Sequence, residues 1–223
     1  MGRFPPIVQE NRHRRKTSDA ARRRRYAPSV TAVRVHRDLP HPLPDEHAAA
    51  LPAGAGSLLP EAGGGAPQAY HVVSVPAGTR SAEPVILDFA GSRGADHVLL
   101  LVGEGSDVRV VERITGGGTG RSHRVEVVVG DGARAEYLSL QTADAGAELT
   151  IRQGATIGKN GSMTWRLASL GGARVDHRLR SRCTGDDAES TVDWIGAAVG
   201  AERRHLEARN DFDGRRGRGE ITL

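Results

Sequence analysis

The feature that most constrains this chain is a glycine turn that returns about every 27 residues. The turns read Pro76-Ala77-Gly78-Thr79, Glu104-Gly105-Ser106, Asp131-Gly132-Ala133, Asn160-Gly161-Ser162, Thr184-Gly185-Asp186 and Asp213-Gly214-Arg215. Their glycines at 78, 105, 132, 161, 185 and 214 are separated by 27, 27, 29, 24 and 29 residues. A recurring period of this size marks a solenoid or other repeat architecture. Asp-Gly and Asn-Gly supply the positive φ angles that such turns need. Between the turns the apolar residues alternate with others. Val125, Val127 and Val129 interleave with Glu126 and Val128, and Leu179, Ser181 and Cys183 interleave with Arg178, Arg180 and Arg182. That two-residue period belongs to strands with one buried face.

No unit holds ten residues of helical periodicity, which excludes leucine-rich and ankyrin repeats, and a propeller blade needs roughly 40 residues. The expected fold is therefore all-β, a right-handed parallel β-helix. Each strand should pair with its equivalent one coil away, at about 4.8 Å. The rival is an antiparallel sandwich or barrel of successive hairpins; the regular columns favour the β-helix.

Residues 1–69 read differently. Nine prolines, from Pro5 to Pro67, interrupt every candidate helix or strand, and Gly63-Gly64-Gly65 closes the stretch. We expect a Pro/Ala/Arg-rich irregular arm here and the β-helix over 70–223. The arm carries most of the excess positive charge, with Arg12, Arg14, Arg15, Lys16 and Arg22 to Arg25 against Asp19. Only Phe4 and Tyr26 interleave with these bases, so the arm reads as a solvated tail and nucleic acid is not an expected partner. No run of 18 apolar residues and no apolar stretch behind the basic residues is present, so neither a membrane span nor a secretory signal is read. A single cysteine excludes an intrachain disulfide. The expected location is the cytoplasm.

Candidate sites are few. Cys183, the only thiol, reads as a sulfur or metal ligand or, in preference, as a small buried hydrophobe. His71, His97, His123, His177 and His205 recur with nearly the turn period, Ile151-Arg152 filling the skipped place. Imidazole is a common transition-metal ligand. Of this series His177 and His205, with Cys183, are the weak metal candidates. His123 and His177 share parity with apolar neighbours, whereas His205 reads as facing the other way. The glycine run Thr115 to Gly120 lacks the Gly-Lys-Ser/Thr ending of a phosphate loop. Asp186, Asp187, Glu189, Asp211 and Asp213 cluster at turns. They raise a carbohydrate-cleaving β-helix as an alternative, although turn acids usually serve turn chemistry. No catalytic residue is expected, and the chain is read as a non-enzyme.

The ordered coils carry a resemblance. HVVSVPAGTRSAEPVIL from His71, HVLLLVGEGSDVRVVER ending near Glu112, VEVVVGDGARAEYLSLQ with Tyr137, IGKNGSMTWRLASLGGARVDHRLRSRCTGDDAEST, and HLEARNDFDGRRGRGEITL together resemble the core domain of the SufB/SufD family. The Leu170-Gly171-Gly172 stretch is more like SufD. These are scaffold proteins of the Suf iron–sulfur cluster assembly system. The resemblance implies a β-helix that pairs with a SufB-like subunit, in a complex with a SufC-like ATPase. It implies no required cofactor, and a transient iron–sulfur cluster only in the assembled complex. Relative to the family this chain is expected to be C-terminally truncated. The family's interface cysteine and histidine, and the helices that contact the ATPase, are not carried over to any residue here. A structural β-helix without cluster chemistry is the other alternative.

Overall fold

In the computed structural model, residues 34–39, 69–91 and 94–223 are described. The described elements are all strands: β1 (Arg34–Leu39), β2 (Ala69–Val75), β3 (Val85–Ala90), β4 (Ala95–Val102), β5 (Asp107–Gly116), β6 (Arg121–Val129), β7 (Arg134–Ala143), β8 (Glu148–Ile157), β9 (Ser162–Gly171), β10 (Arg174–Cys183), β11 (Glu189–Ala197), β12 (Arg203–Phe212) and β13 (Arg218–Thr222). Even-numbered strands form one sheet, in the order β1-β2-β4-β6-β8-β10-β12, which we call sheet A. Odd-numbered strands form sheet B, in the order β13-β11-β9-β7-β5-β3. Every pairing is parallel and skips one strand, except that β1 runs antiparallel to β2. The chain therefore winds as a flattened parallel β-solenoid of six coils, each giving one strand to each sheet. The expected β-helix is present. β1 lies within the stretch read as irregular, and the remainder of that arm lies outside the described residues.

The two sheets face each other across one apolar core. Val98, Leu100 and Val102 of β4 and Val125, Val127 and Val129 of β6 point inward against Val110 of β5, Tyr137 of β7 and Trp165 of β9. The alternation noted in the sequence is what makes this possible: one side chain in two faces the lumen. β4 departs from it, because Leu99 on the opposite parity is also buried.

The turns from sheet A to sheet B stack into two columns, and these correct the sequence reading. Residues with positive φ are Gly78, Gly105, Gly132, Asn160, Asp187 and Arg216, one per coil. They are joined by backbone hydrogen bonds from Gly78 N to Glu104 O, Gly105 N to Asp131 O, Gly132 N to Lys159 O, Asn160 N to Asp186 O and Asp187 N to Arg215 O. Two residues earlier in each later coil stands a second column, Gly103, Gly130, Gly158, Gly185 and Gly214. These glycines are required by crowding: a Cβ on Gly185 would lie 2.0 Å from the Lys159 nitrogen, and one on Gly214 2.1 Å from the Gly185 oxygen. Thus Gly185 and Gly214, read as positive-φ turn residues, belong to the close-approach column, and Gly161 to neither. Asp187, Arg216 and Asn160 take the left-handed conformation in their place, against the usual preference for glycine.

Candidate functional site

The inward faces of the middle coils carry a run of polar side chains where the pattern calls for apolar ones. β5 reads Val108, Val110, Glu112, Ile114 along its buried face, and Glu112 is 0 % exposed. Lateral register sets Glu112 beside Ser139, while Val110 stands beside Tyr137. Across the lumen, β6 presents His123, β8 Gln153 and β10 His177, all buried.

These groups satisfy one another. His123 Nε2 lies 2.7 Å from Glu112 Oε1, and the Tyr137 hydroxyl donates to the same oxygen at 2.9 Å. Ser139 Oγ donates to Glu112 Oε2 at 2.8 Å and Gln153 Nε2 donates to it at 3.2 Å. The Gln153 carbonyl is 3.0 Å from His177 Nε2, and His177 Nδ1 is 3.3 Å from Ser169 Oγ. Trp194 Nε1 donates to that hydroxyl at 3.3 Å and stacks its ring edge-on against His177. The seam therefore touches each strand from β5 to β11. At its outer end Asp96 Oδ2 stands 3.8 Å from His123 Nδ1, an ion-pair distance rather than a hydrogen bond, and 3.5 Å from Arg121.

The electrostatics divide the two histidines. Burial alone would raise the Glu112 carboxyl, but the His123 charge and the hydrogen bonds from His123, Ser139 and Tyr137 hold it below the usual carboxylate range. Burial alone would strip the proton from His123. The charge of Glu112 and the nearby Asp96 overcome that and push the imidazole up to about 9. At His177 the charge of Asp176 acts in the same sense but is outweighed. Burial, then the charges of His123 and Arg152, bring it down to about 3, so it is neutral. Tyr137 is raised well above its ordinary value by burial and by Glu112. The seam is thus a charged pair, His123⁺ and Glu112⁻, tied to a neutral chain that ends on Trp194. Both Glu112 oxygens are engaged, so the pair suits a fixed dipole rather than a nucleophile or an open ligand.

The metal candidates are placed apart. His177 is in the lumen, whereas the His205 side chain is 60 % exposed on the outer face, 3.6 Å from Glu207. Cys183 is buried at the far end of β10, six residues from His177, or roughly 20 Å along a strand. Burial and then the charge of Asp213 push its thiol up to about 11. Among the described residues no group of three or more His, Cys, Asp or Glu converges as a metal site.

The histidine period is also resolved. His71 stands beside Val98, not His97, and His97 beside Arg124, not His123. The strands are offset by 27 residues here while the histidines are 26 apart, and each one-residue slip turns a side chain to the other face. Only His123 and His177 share a column, with Ile151 between them. His205 is offset by one from the column position held by Leu206.

The turn acids are held by arginines. Arg216 grips Asp187 through Nε at 2.7 Å and Nη2 at 2.6 Å, and this hydrogen bonding keeps the carboxyl low. Asp213 pairs with Arg182 at 2.6 Å, and Asp211 with Arg180 and Arg209. Asp186 accepts the Arg215 N–H at 2.9 Å. A general acid needs a carboxyl raised toward neutrality, and neither Asp187 nor Asp211 is raised.

Sequence reasoning missed Glu112 as a site residue although its signal was available: an acid at the inward parity of Val108, Val110 and Ile114. Two comparisons with known proteins complete the picture. The family model described as "SUF system FeS cluster assembly, SufBD core domain" matches residues 86–223, more than half of the chain. No curated protein matches the chain.

Proposed function

This chain belongs to the SUF-system SufBD core domain family, and we propose that it is a non-enzymatic scaffold subunit of SUF-type iron–sulfur cluster assembly that pairs through its β-helix with another Suf subunit. The observation that carries this reading is the family match over residues 86–223, which takes in all of the solenoid beyond its first strands. The partner we favour is a SufB-like subunit, with this chain in the SufD-like role and a SufC-like ATPase completing a cytoplasmic complex. The cluster is then cargo of the assembled complex.

Co-expression of this chain with the SufB-like and SufC-like proteins of its own cells tests the proposal. A complex that survives size-exclusion chromatography is expected. If the tagged, folded chain recovers neither protein from those cells, the SUF scaffold role is wrong.

A further inference from the structure

Where the coils return from sheet B to sheet A, the first residues of β8, β10 and β12 together with Gly120 surround a cleft of about 510 Å³. Its basic wall is made by Arg174, Arg203, Arg204 and His205, with Thr150 beside them. Arg174 and Arg203 are partners in the parallel register, so two exposed guanidinium groups spring from strands about 4.8 Å apart. Like charges placed directly opposite are destabilising. Neither of these arginines makes an ion pair within the described residues. This sets them apart from Arg178, Arg180, Arg182 and Arg209 on the same sheet, each of which meets a carboxylate.

Arg204 alternates inward and its side chain is 6 % exposed. Its Nη2 donates to the Gly171 carbonyl at 2.8 Å and pairs with Glu202 at 3.0 Å, and its Nε donates to the Ala197 carbonyl. Its Nη1 has no hydrogen-bond partner. Two carboxylates also border the cleft. Asp176 is already shared by Arg152 at 2.8 Å and Arg178 at 3.2 Å. Glu148 lies in register with Arg174 on its other side and opposes an anion. The uncommitted charge at the mouth is thus that of Arg174 and Arg203 against Glu148.

We propose that this cleft binds a small oxyanion-bearing molecule, of phosphate or carboxylate chemistry, through the paired guanidinium groups of Arg174 and Arg203. Planar guanidinium groups recognise such oxyanions by paired N–H donors, and the Thr150 hydroxyl stands ready as a further donor. The volume falls within the roughly 300–1,000 Å³ of ligand pockets. It exceeds what a lone phosphate fills, so the ligand would carry the anionic group on a small organic body.

The test uses the full chain and titrates inorganic phosphate, and separately citrate, by calorimetry and thermal melting at ionic strength held constant with chloride. A saturable heat and a rise in Tm are expected, and the stronger of the two arms identifies the chemistry. Arg174→Gln with Arg203→Gln should weaken binding by at least about tenfold, while the ligand-free melt stays the same or rises slightly as the like-charge opposition is removed. Glu148→Gln should tighten binding, by about two- to fivefold, because it removes the one opposing free charge. No saturable response with either anion, equal binding by the double variant (an adventitious ion only), or no tightening in Glu148→Gln would each overturn the assignment.

Discussion

Replacing Glu112 by glutamine removes one charge from the centre of the lumen while keeping the shape of the side chain. The cost can be worked from its partner. Moving the His123 imidazole from its ordinary 6.5 to about 9 corresponds to about 3 kcal/mol in favour of the charged form. Breaking a buried ion pair by removing one member costs about 3–5 kcal/mol, so the two routes agree. At pH 7 the unfolding free energy should fall by about 3 kcal/mol in Glu112→Gln. Glu112→Ala should lose more, about 5 kcal/mol, because the hydroxyls of Tyr137 and Ser139 and the amide of Gln153 also lose their acceptor. Urea unfolding followed by fluorescence measures this, since Trp165 and Trp194 both sit in the core; the midpoint should shift with the slope unchanged.

The pH dependence gives a second leg with a definite sign. His123 has a folded-state pKa above its unfolded value. Its contribution is complete below pH 6.5 and is lost as pH climbs through about 9. Glu112 has a lowered pKa, so its contribution is complete above 4.5 and is lost as pH falls through the lower folded-state value. The native chain should therefore lose stability between pH 6.5 and 9, and Glu112→Gln should show much less of that slope. A loss at pH 7 below about 1 kcal/mol, or an alkaline slope identical in the two proteins, would refute the buried charge pair.

Asn160→Gly should raise stability by about 0.5–1 kcal/mol, because it relieves a left-handed residue at φ 52 whose side chain makes no hydrogen bond that the turn requires; a calorimetric Tm below that of the native chain would contradict this. Gly185→Ala should cost about 3 kcal/mol or prevent folding, since its Cβ would meet the Lys159 backbone at 2.0 Å, and circular dichroism melting decides it. Cys183 should resist a thiol reagent such as Ellman's at pH 8 until denaturant is added, because it is fully buried with its pKa pushed up to about 11. Prompt modification of the native chain would show that the end of β10 is open.

The period of the solenoid was legible because every coil needs a tight turn, and glycine serves tight turns in two ways. The same ambiguity misplaced half of the turn ladder. Spacing alone does not separate Gly132, which supplies positive φ, from Gly185, which makes room for the neighbouring backbone. Nor does it reveal that Asp187 and Arg216 hold the left-handed position. The histidine period misled for a related reason. Coil offsets vary by a residue or two, and a slip of one residue sends His97 and His205 to the outer face while His123 and His177 stay inside. The burial of Cys183 followed from its parity with Leu179 and Ser181. The seam was the least legible element, because its logic is lateral. Glu112 makes sense only once Ser139 and Tyr137 lie one coil away and His123 lies across the lumen.

That lateral logic bears on how the coils find their alignment. The apolar columns alone are nearly degenerate: Val98, Leu100 and Val102 beside Val125, Val127 and Val129 would still face inward after a slip of two residues. Glu112 is not degenerate. The same slip in β5 would set Val110 or Ile114 beside Ser139 and move the carboxylate away from four donors placed on β6, β7 and β8. An unpaired buried carboxylate costs several kcal/mol, whereas exchanging one buried valine for another costs little. Among otherwise interchangeable apolar rungs, this single buried acid thus favours one alignment of β5 against β6, β7 and β8.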